Sequence, residues 1–313
     1  MPELSIALLA GGISNEREVS LKTGAKIFDA LDKDKYEVYR YDPKVDLVRF
    51  FNDAAAKKFD LVFPALHGPF GECGRLQGML DMIVMPYVFS DCLASALAMN
   101  KAKTKLVAID AGLSTADDIL ILRDGIYPAA DLVARLGLPM VIKPIDAGSS
   151  VGISIASNET ELIDGLGEAF KHSPSVILEK FVKGRELTVA VMGFGAASHA
   201  LPVIEIIPKV SDWFDHKAKY EAGGSEEICP AQIPDPIRDR VQADAVKIYN
   251  AIGCKDLARA DFIWSEADDK LYFLEINTIP GMTATSLAPQ AAKAAGMEFN
   301  EFLDKLIEGA LNT

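Results

Sequence analysis

Residues 4 to 10, LSIALLA, form an apolar run that breaks at Gly11-Gly12. Apolar positions then recur at Val19, Ile27 and Leu31 within EREVSLKTGAKIFDALD. A continuous run followed by helical spacing predicts a strand and then a helix. YEVYRYD and DLVFPALHG read as two further strands. This strand–helix alternation over the first hundred residues predicts a mostly parallel sheet, with ligand loops at the strand C-termini. SALAMNKAKTKLVAIDAG reads as one helix that carries the chain into a new unit.

From about residue 115 the texture changes. PMVIKPIDAGSSVGISIA reads as two strands around a Gly/Ser-rich loop, and NETELIDGLGEAF as a helix capped by Asn158. SVILEKFV is a strand bounded by Gly184, and RELTVAVMG and ALPVIEIIP are paired strands joined by GFGAASH. Residues 209–234 are polar and aperiodic, which predicts a long loop of the kind that is functional or disordered. A helix over 236–252, the strands LARADFIW and KLYFLEIN, and a final helix EFNEFLDKLIEGAL complete the chain.

Composition narrows the function classes. The 313 residues carry a net charge of −13, which argues against nucleic-acid and anionic-membrane partners. No long uncharged apolar run predicts a membrane span. MPELSIALLAGG reads as a first strand rather than a signal peptide. Cys73, Cys92, Cys229 and Cys254 show no CxxC spacing and read as free thiols of a reducing cytosol. The four histidines are scattered, which disfavours zinc.

The chemistry concentrates near residue 270. LARADFIW sets Arg259 and Asp261 two apart, and LYFLEIN does the same for Glu275 and Asn277, so each pair shares a strand face. The turn-rich SEADDK between them predicts a hairpin that gathers all four. Oxygen ligands without His or Cys suit Mg²⁺, which also takes waters and substrate phosphates. Solvated strand ends are the plainer alternative, but both carboxylates follow largely apolar strands. No GxxxxGK[ST] is present, and GFGAAS opens no helix. KPIDAGSSVG is the better phosphate loop, with Lys143 leaving a strand before Gly148, Ser149 and Ser150. Lys101, Glu179 and Glu186 complete a candidate nucleotide pocket.

With these residues in place, the chain resembles the D-alanine–D-alanine ligases of the ATP-grasp superfamily. The resemblance runs through GGISNEREVSLKTG, HGPFGECGRLQG, SALAMNK, IKPIDAGSSVGIS, LEKFVKGRELTVAV, ARADF and FLEINTIPGMTATSLAP, in family order. It implies an α/β protein, α+β in its ATP-grasp part, of three domains. These are an N-terminal parallel-sheet substrate domain (1–100), a central ATP-grasp subdomain (101–184), and a C-terminal one (185–313) with the metal site and a lid at 209–226. It also implies a cytoplasmic homodimer serving peptidoglycan precursor synthesis. Lys101, Lys143, Ser150 and Lys219 are then placed at the nucleotide, with Lys101 and Lys143 on its phosphates. Glu179, Lys180 and the backbone of Phe181 and Val182 meet adenine, and Glu186 the ribose. Asp261, Glu275 and Asn277 hold two Mg²⁺, which Mn²⁺ can replace. Glu16 and His67 position the first D-alanine. Arg259 and Gly281 stabilise an oxyanion, Ser286 and Leu287 receive the second substrate's carboxylate, and Tyr220 links Glu16 to Ser149.

The chain departs from the family pattern at Val88-Phe89, where a glycine usually follows the tyrosine by two residues. It also departs at Asn100 and Ala147, and at Phe214 and His216 in the lid. Three alternatives stand beside the dipeptide ligase. They are a ligase for D-lactate or D-serine, an ATP-binding regulatory protein without turnover, and a nicotinamide-binding module, which lacks its fingerprint.

Overall fold

The first apolar run becomes the middle strand of a parallel sheet. The computed structural model describes residues 2–146, 148, 151–209, 223–283 and 286–312. Strand β1 (Leu4–Ala10) lies between β2 (Tyr36–Tyr41) and β3 (Leu61–Ala65), all parallel, with Ile6 opposite both Val38 and Leu61. Helices α1 (Arg17–Ala30) and α2 (Pro43–Ala55) make the connections. Every residue of β3 is buried although it is an outer strand, and Val62 bridges to Tyr87 on its far side.

Helices α3 (Arg75–Met82), α4 (Cys92–Met99) and α5 (Lys101–Asp110) lead to a four-stranded antiparallel sheet. Its order is β4 (Asp118–Leu122), β7 (Ser175–Lys180), β5 (Met140–Pro144), β6 (Ser154–Ala156). Helices α6 (Ala129–Leu136) and α7 (Glu159–His172) pack on it through Leu132, Leu136, Leu162 and Ala169. The third sheet runs β11 (Ser225–Ile228), β10 (Ile204–Pro208), β8 (Arg185–Gly193), β12 (Asp256–Ser265), β13 (Lys270–Asn277), with β9 (His199–Ala200) beside β8. Helix α8 (Asp235–Ile252) packs beneath β8 and β12. The last helices, α9 (Leu287–Ala294) and α10 (Phe299–Asn312), return to the first sheet. Leu303, Leu306 and Ile307 share one core with Ile6, Leu8 and Phe63.

Two expectations are corrected. The single helix predicted from SALAMNKAKTKLVAIDAG is two, α4 and α5, broken at Asn100. Asn100 leaves helical geometry (φ −91°, ψ 95°), and its Oδ1 accepts the Lys103 N–H at 3.0 Å as an N-cap. Asparagine caps about as well as the acid it replaces. The predicted loop 209–234 contains β11, an edge strand paired to β10. Its SEEI sequence has one apolar residue, Ile228, and no alternation, so it carries no burial period, as is common in edge strands.

The Val88-Phe89 departure has a structural solution. Phe89 adopts φ +77°, a left-handed backbone that glycine takes without strain. The strain, about 1–3 kcal/mol, is offset by a fully buried ring that stacks edge-on to Phe63 at 5.5 Å. Ring burial contributes about 1.5–3 kcal/mol. The Phe89 N–H donates to Asp256 Oδ2 at 2.7 Å, and Asp256 is itself left-handed at φ +59°.

Asp256 generates a test. Burial raises its pKa to about 6, against the opposing pulls of Lys255 and the Phe89 N–H. A pKa raised in the folded state favours folding below the unfolded value, and that stability is lost as pH rises through about 6. Asp256→Asn keeps an acceptor for Phe89, tolerates the left-handed backbone, and carries no charge. In urea melts it is expected to exceed the parent by about 2–3 kcal/mol at about pH 8, the gap closing by about pH 4. A pH-independent gap would contradict the buried carboxylate.

Candidate active site

The hairpin of β12 and β13 sets Arg259 opposite Asn277 and Asp261 opposite Glu275. Directly opposed residues share a face, so all four project to one side. The register shifts between Asp261 and Phe262, leaving Leu274 as an extra residue in β13. A bulge re-aims side chains, and Leu274 and Glu275, though adjacent, both line the same cleft. Strand β8 adds Thr188 opposite Asp261 and Glu186 opposite Ile263.

Arg259 and Asp261 form a buried fork. Arg259 Nε and Nη2 donate to Asp261 Oδ1 and Oδ2, both at 2.9 Å, and Thr188 Oγ1 donates to Oδ1 at 2.5 Å. Burial opposes the guanidinium charge, but Asp261, with Glu275 and Glu72 behind it, outweighs burial and holds the Arg259 pKa above the ordinary value. Lys101 Nζ stands 3.6 Å from Glu275 Oε2.

The four-stranded sheet supplies the opposite wall. Val141 lies opposite both Ile155 and Glu179, and Lys143 follows two residues on, so these side chains share a face. Between the two sheets is an open cleft. Val141, Ile153, Ile155, Ile263 and Leu274 give it apolar sides, and Lys143, Glu179, Glu186, Asp261 and Glu275 charge it. Lys180, Phe181 and Val182 complete the lining. Apolar walls with a few convergent charges suit a flat base carrying an anionic tail.

Glu179 sits between two lysines. Its Oε2 meets Lys143 Nζ at 2.5 Å, and its Oε1 meets Lys105 Nζ at 2.9 Å. Burial pushes Glu179 towards the neutral acid, but Lys143 and Lys105 outweigh it and hold its pKa down. For Lys143, burial is likewise outweighed, chiefly by Glu179, and its pKa is raised.

A third group gathers where the first sheet meets the other two. A Cβ on either Gly68 or Gly148 would lie 2.7 Å from Glu16 Oε2, so that carboxylate sits against both glycines. His67 is buried, with Nε2 3.0 Å from Thr23 Oγ1 and Nδ1 3.7 Å from Glu72 Oε1. Glu72 Oε2 accepts the Gly68 N–H at 2.6 Å. Gly281 approaches Ser286 so closely that a Cβ would lie 2.9 Å from its Oγ. Ser286 is the N-cap of α9 and Leu287 its first residue. Helix N-termini favour carboxylates.

The donors on β12 and β13 fit Mg²⁺: two carboxylates and an amide, all hard oxygen ligands. Among the described residues no three His, Cys, Asp or Glu side chains gather as a metal site.

The structure thus brings Lys143, Glu179, Lys180, Phe181, Val182, Glu186, Asp261 and Glu275 into one cleft. It sets Arg259, Asn277 and Lys101 beside it. Glu16, His67, Gly281, Ser286 and Leu287 are placed as above. Ser149, Ser150, Lys219 and Tyr220 lie outside the described residues, as do Ala147, Phe214, His216 and most of 209–226. Sequence reasoning missed Lys105, Glu72 and Thr188. Lys105 stands one helical turn after Lys101, which is the signal that could have found it.

Removing one member of a buried ion pair costs about 3–5 kcal/mol. Asp261→Ala is expected to lower unfolding stability by that much in urea melts. Thr188→Val removes one hydrogen bond and should cost about 1–2 kcal/mol. Near-parent stability for Asp261→Ala would rule out the buried fork.

Comparison with known proteins shows the family. The family model described as D-ala D-ala ligase C-terminus matches residues 108–308, and that for the D-ala D-ala ligase N-terminus matches residues 40–90. A D-alanine--D-alanine ligase of Desulfotalea psychrophila is 49% identical over 97% of this chain and 94% of its own. The D-alanine--D-alanine ligase of Bacillus anthracis, solved in complex with ATP, superposes with a TM-score of 0.85 at 32% identity, covering 99% of this chain and 98% of that one. The VanG D-Ala:D-Ser ligase of Enterococcus faecalis gives a TM-score of 0.85 at 32% identity, over 98% and 99% of the two chains. The chain, with its ATP-grasp architecture, belongs to the D-alanine–D-alanine ligase family.

Proposed function

We propose that this protein joins two D-alanines into D-alanyl-D-alanine for peptidoglycan precursors, using ATP and releasing ADP and phosphate. The observation that carries the reading is the Arg259–Asp261–Glu275–Asn277 row, of which Asp261 and Glu275 line the open cleft, in a chain related to these ligases over 97% of its length.

The chemistry follows from the residues. A carboxylate is a poor electrophile at neutral pH. Transfer of the γ-phosphoryl group of ATP to the first D-alanine makes an acyl phosphate and leaves ADP. The amine of the second D-alanine then attacks the carbonyl, and phosphate departs. We assign Lys101 and Lys143 to the phosphates, Glu179 to the adenine amino group beside Lys180, Phe181 and Val182, and Glu186 to the ribose. Lys219 and Ser150 complete the nucleotide contacts. Asp261, Glu275 and Asn277 would hold two Mg²⁺, which neutralise phosphate charge. Glu16 and His67 hold the first substrate, and Ser286 and Leu287 the carboxylate of the second. Arg259, with the Gly281 N–H, faces the developing oxyanion. An acyl phosphate hydrolyses in open water, so closure over the cleft protects it.

Cellular setting and assembly are further proposals. A cytoplasmic site accords with free thiols and acidic charge. Among the described residues no helix is long and apolar enough to cross a membrane. A homodimer is supported by α2, whose Val45 and Val48 are 75% and 74% exposed.

Glu275→Gln or Asn277→Ala is expected to abolish nearly all Mg²⁺-dependent ADP formation, with the circular dichroism spectrum unchanged. Near-parent turnover in both would overturn the metal assignment.

The VanG neighbour keeps D-serine open as the second substrate. Tyr220 bears on a different choice, amine acceptors against D-lactate. The resemblance sets tyrosine there for dipeptides and phenylalanine for esters, and a phenol can bridge Glu16 and Ser149 by donating and accepting. The test is phosphate release with D-alanine, D-serine and D-lactate, with products identified by mass across a pH series. D-Alanyl-D-alanine is expected to dominate and to rise with pH as the attacking amine loses its proton. Tyr220→Phe is expected to shift the ratio towards D-alanyl-D-lactate. Predominant ester or D-alanyl-D-serine from the parent would overturn the substrate reading.

A further inference from the structure

Lys105 lies outside every role assigned above, yet it is the most enclosed lysine near the cleft, its side chain only 3% exposed. An ammonium has three donors, and Lys105 meets three acceptors. These are Ala116 O at 2.7 Å, Asp118 Oδ2 at 2.8 Å and Glu179 Oε1 at 2.9 Å. It is therefore placed to act on Glu179 and not on a ligand. Lys143 takes the other Glu179 oxygen and borders the cleft.

We propose that Lys105 is a positioning residue that sets how tightly Glu179 holds Lys143, and hence how readily Lys143 reaches the nucleotide phosphates. The proposal rests on the ligase reading for the place of those phosphates. A buried carboxylate needs a cation. With Lys105 in place, Glu179 stays compensated when Lys143 turns to the phosphates. Without it, Glu179 and Lys143 form an exclusive buried pair, and nucleotide must break that pair to recruit Lys143. Asp118 works the other way. It shares the Lys105 charge, and its side chain is 30% exposed.

The test is the KM for ATP and kcat at saturating D-alanine, with ADP binding by calorimetry as a readout independent of turnover. Lys105→Met is expected to raise the ATP KM and the ADP Kd about tenfold while kcat changes less than about threefold. Asp118→Asn leaves the Lys105 charge to Glu179 and is expected to lower the ATP KM about twofold. Glu179→Gln alone carries any loss of the adenine contact; adding Lys105→Met to it removes no needed cation and is expected to change nucleotide affinity less than about twofold further. A Lys105 that only ties Ala116 and Asp118 in place would cost the same factor of about tenfold with or without the Glu179 carboxylate.

An unchanged ATP KM in Lys105→Met, a raised one in Asp118→Asn, or a full further loss when Lys105→Met is added to Glu179→Gln overturns the proposal. Should Lys105→Met not fold, Asp118→Asn and the double variant decide the matter by the same criteria. Lys143→Ala separates the two readings. If it leaves nucleotide affinity unchanged, the phosphate assignment of Lys143 fails. If it weakens affinity while Lys105→Met does not, only the role of Lys105 fails.

Discussion

The antiparallel pairing of β12 with β13 is the constraint on which the site depends. Its register puts Arg259 against Asn277 and Asp261 against Glu275. A slip of one residue would turn each side chain to the other face. The bulge at Leu274 brings a hydrophobic side chain and a carboxylate to the same cleft from adjacent positions. Strand β8 locks the other edge of β12, and Thr188 holds Asp261 from there. The metal, oxyanion and base-binding roles proposed for this site all draw on this one piece of ladder.

Buried charge is the second organising fact. An ion in an apolar interior is costly unless paired and hydrogen-bonded. Arg259 has Asp261, and Glu179 has Lys143 and Lys105. Lys101 is near Glu275, and His67 is near Glu72. The groups proposed to meet ATP and D-alanine are thus already held by partners in the protein. On that proposal, binding exchanges some of those partners for phosphate, metal or substrate. That keeps charges in place without ligand and makes each exchange a point where affinity is set.

The two chain ends bind this frame together. Helices α9 and α10 share a core with the first sheet, and Asp304 on α10 accepts from Lys35 Nζ at 2.7 Å and Tyr36 Oη at 2.8 Å. Leu287, at the start of α9, is part of the same core. The candidate carboxylate site therefore moves with the first sheet, which carries Glu16 and His67. Phe89 and Asp256 fasten the first sheet's edge to the root of β12. Two left-handed residues are tolerated there because ring burial and a buried hydrogen bond offset their strain.

Local sequence determined most of the elements and which side chains share a strand face. The run LSIALLA, the spacing of Val19, Ile27 and Leu31, and the i, i+2 pairs at 259/261 and 275/277 were sufficient for the parallel sheet and the shared face of Arg259, Asp261, Glu275 and Asn277. Period and strand alternation are properties of neighbours in the chain. Other local signals are visible once the helix ends are known. Asp42-Pro43 starts α2 with an N-cap and a proline at the first turn, and Asn100 caps α5. Strand β11 gave no signal, since an edge strand that buries neither face has no pattern to show. Tertiary structure alone decided the rest. Whether Lys105 is a surface charge or an enclosed clamp depends on Ala116, Asp118 and Glu179, residues 11 to 74 positions away. The same holds for Glu72 against Arg259 and for Phe89 against Asp256. A charge's role is set by what excludes water from it, and distant segments supply that exclusion only once the sheets have packed.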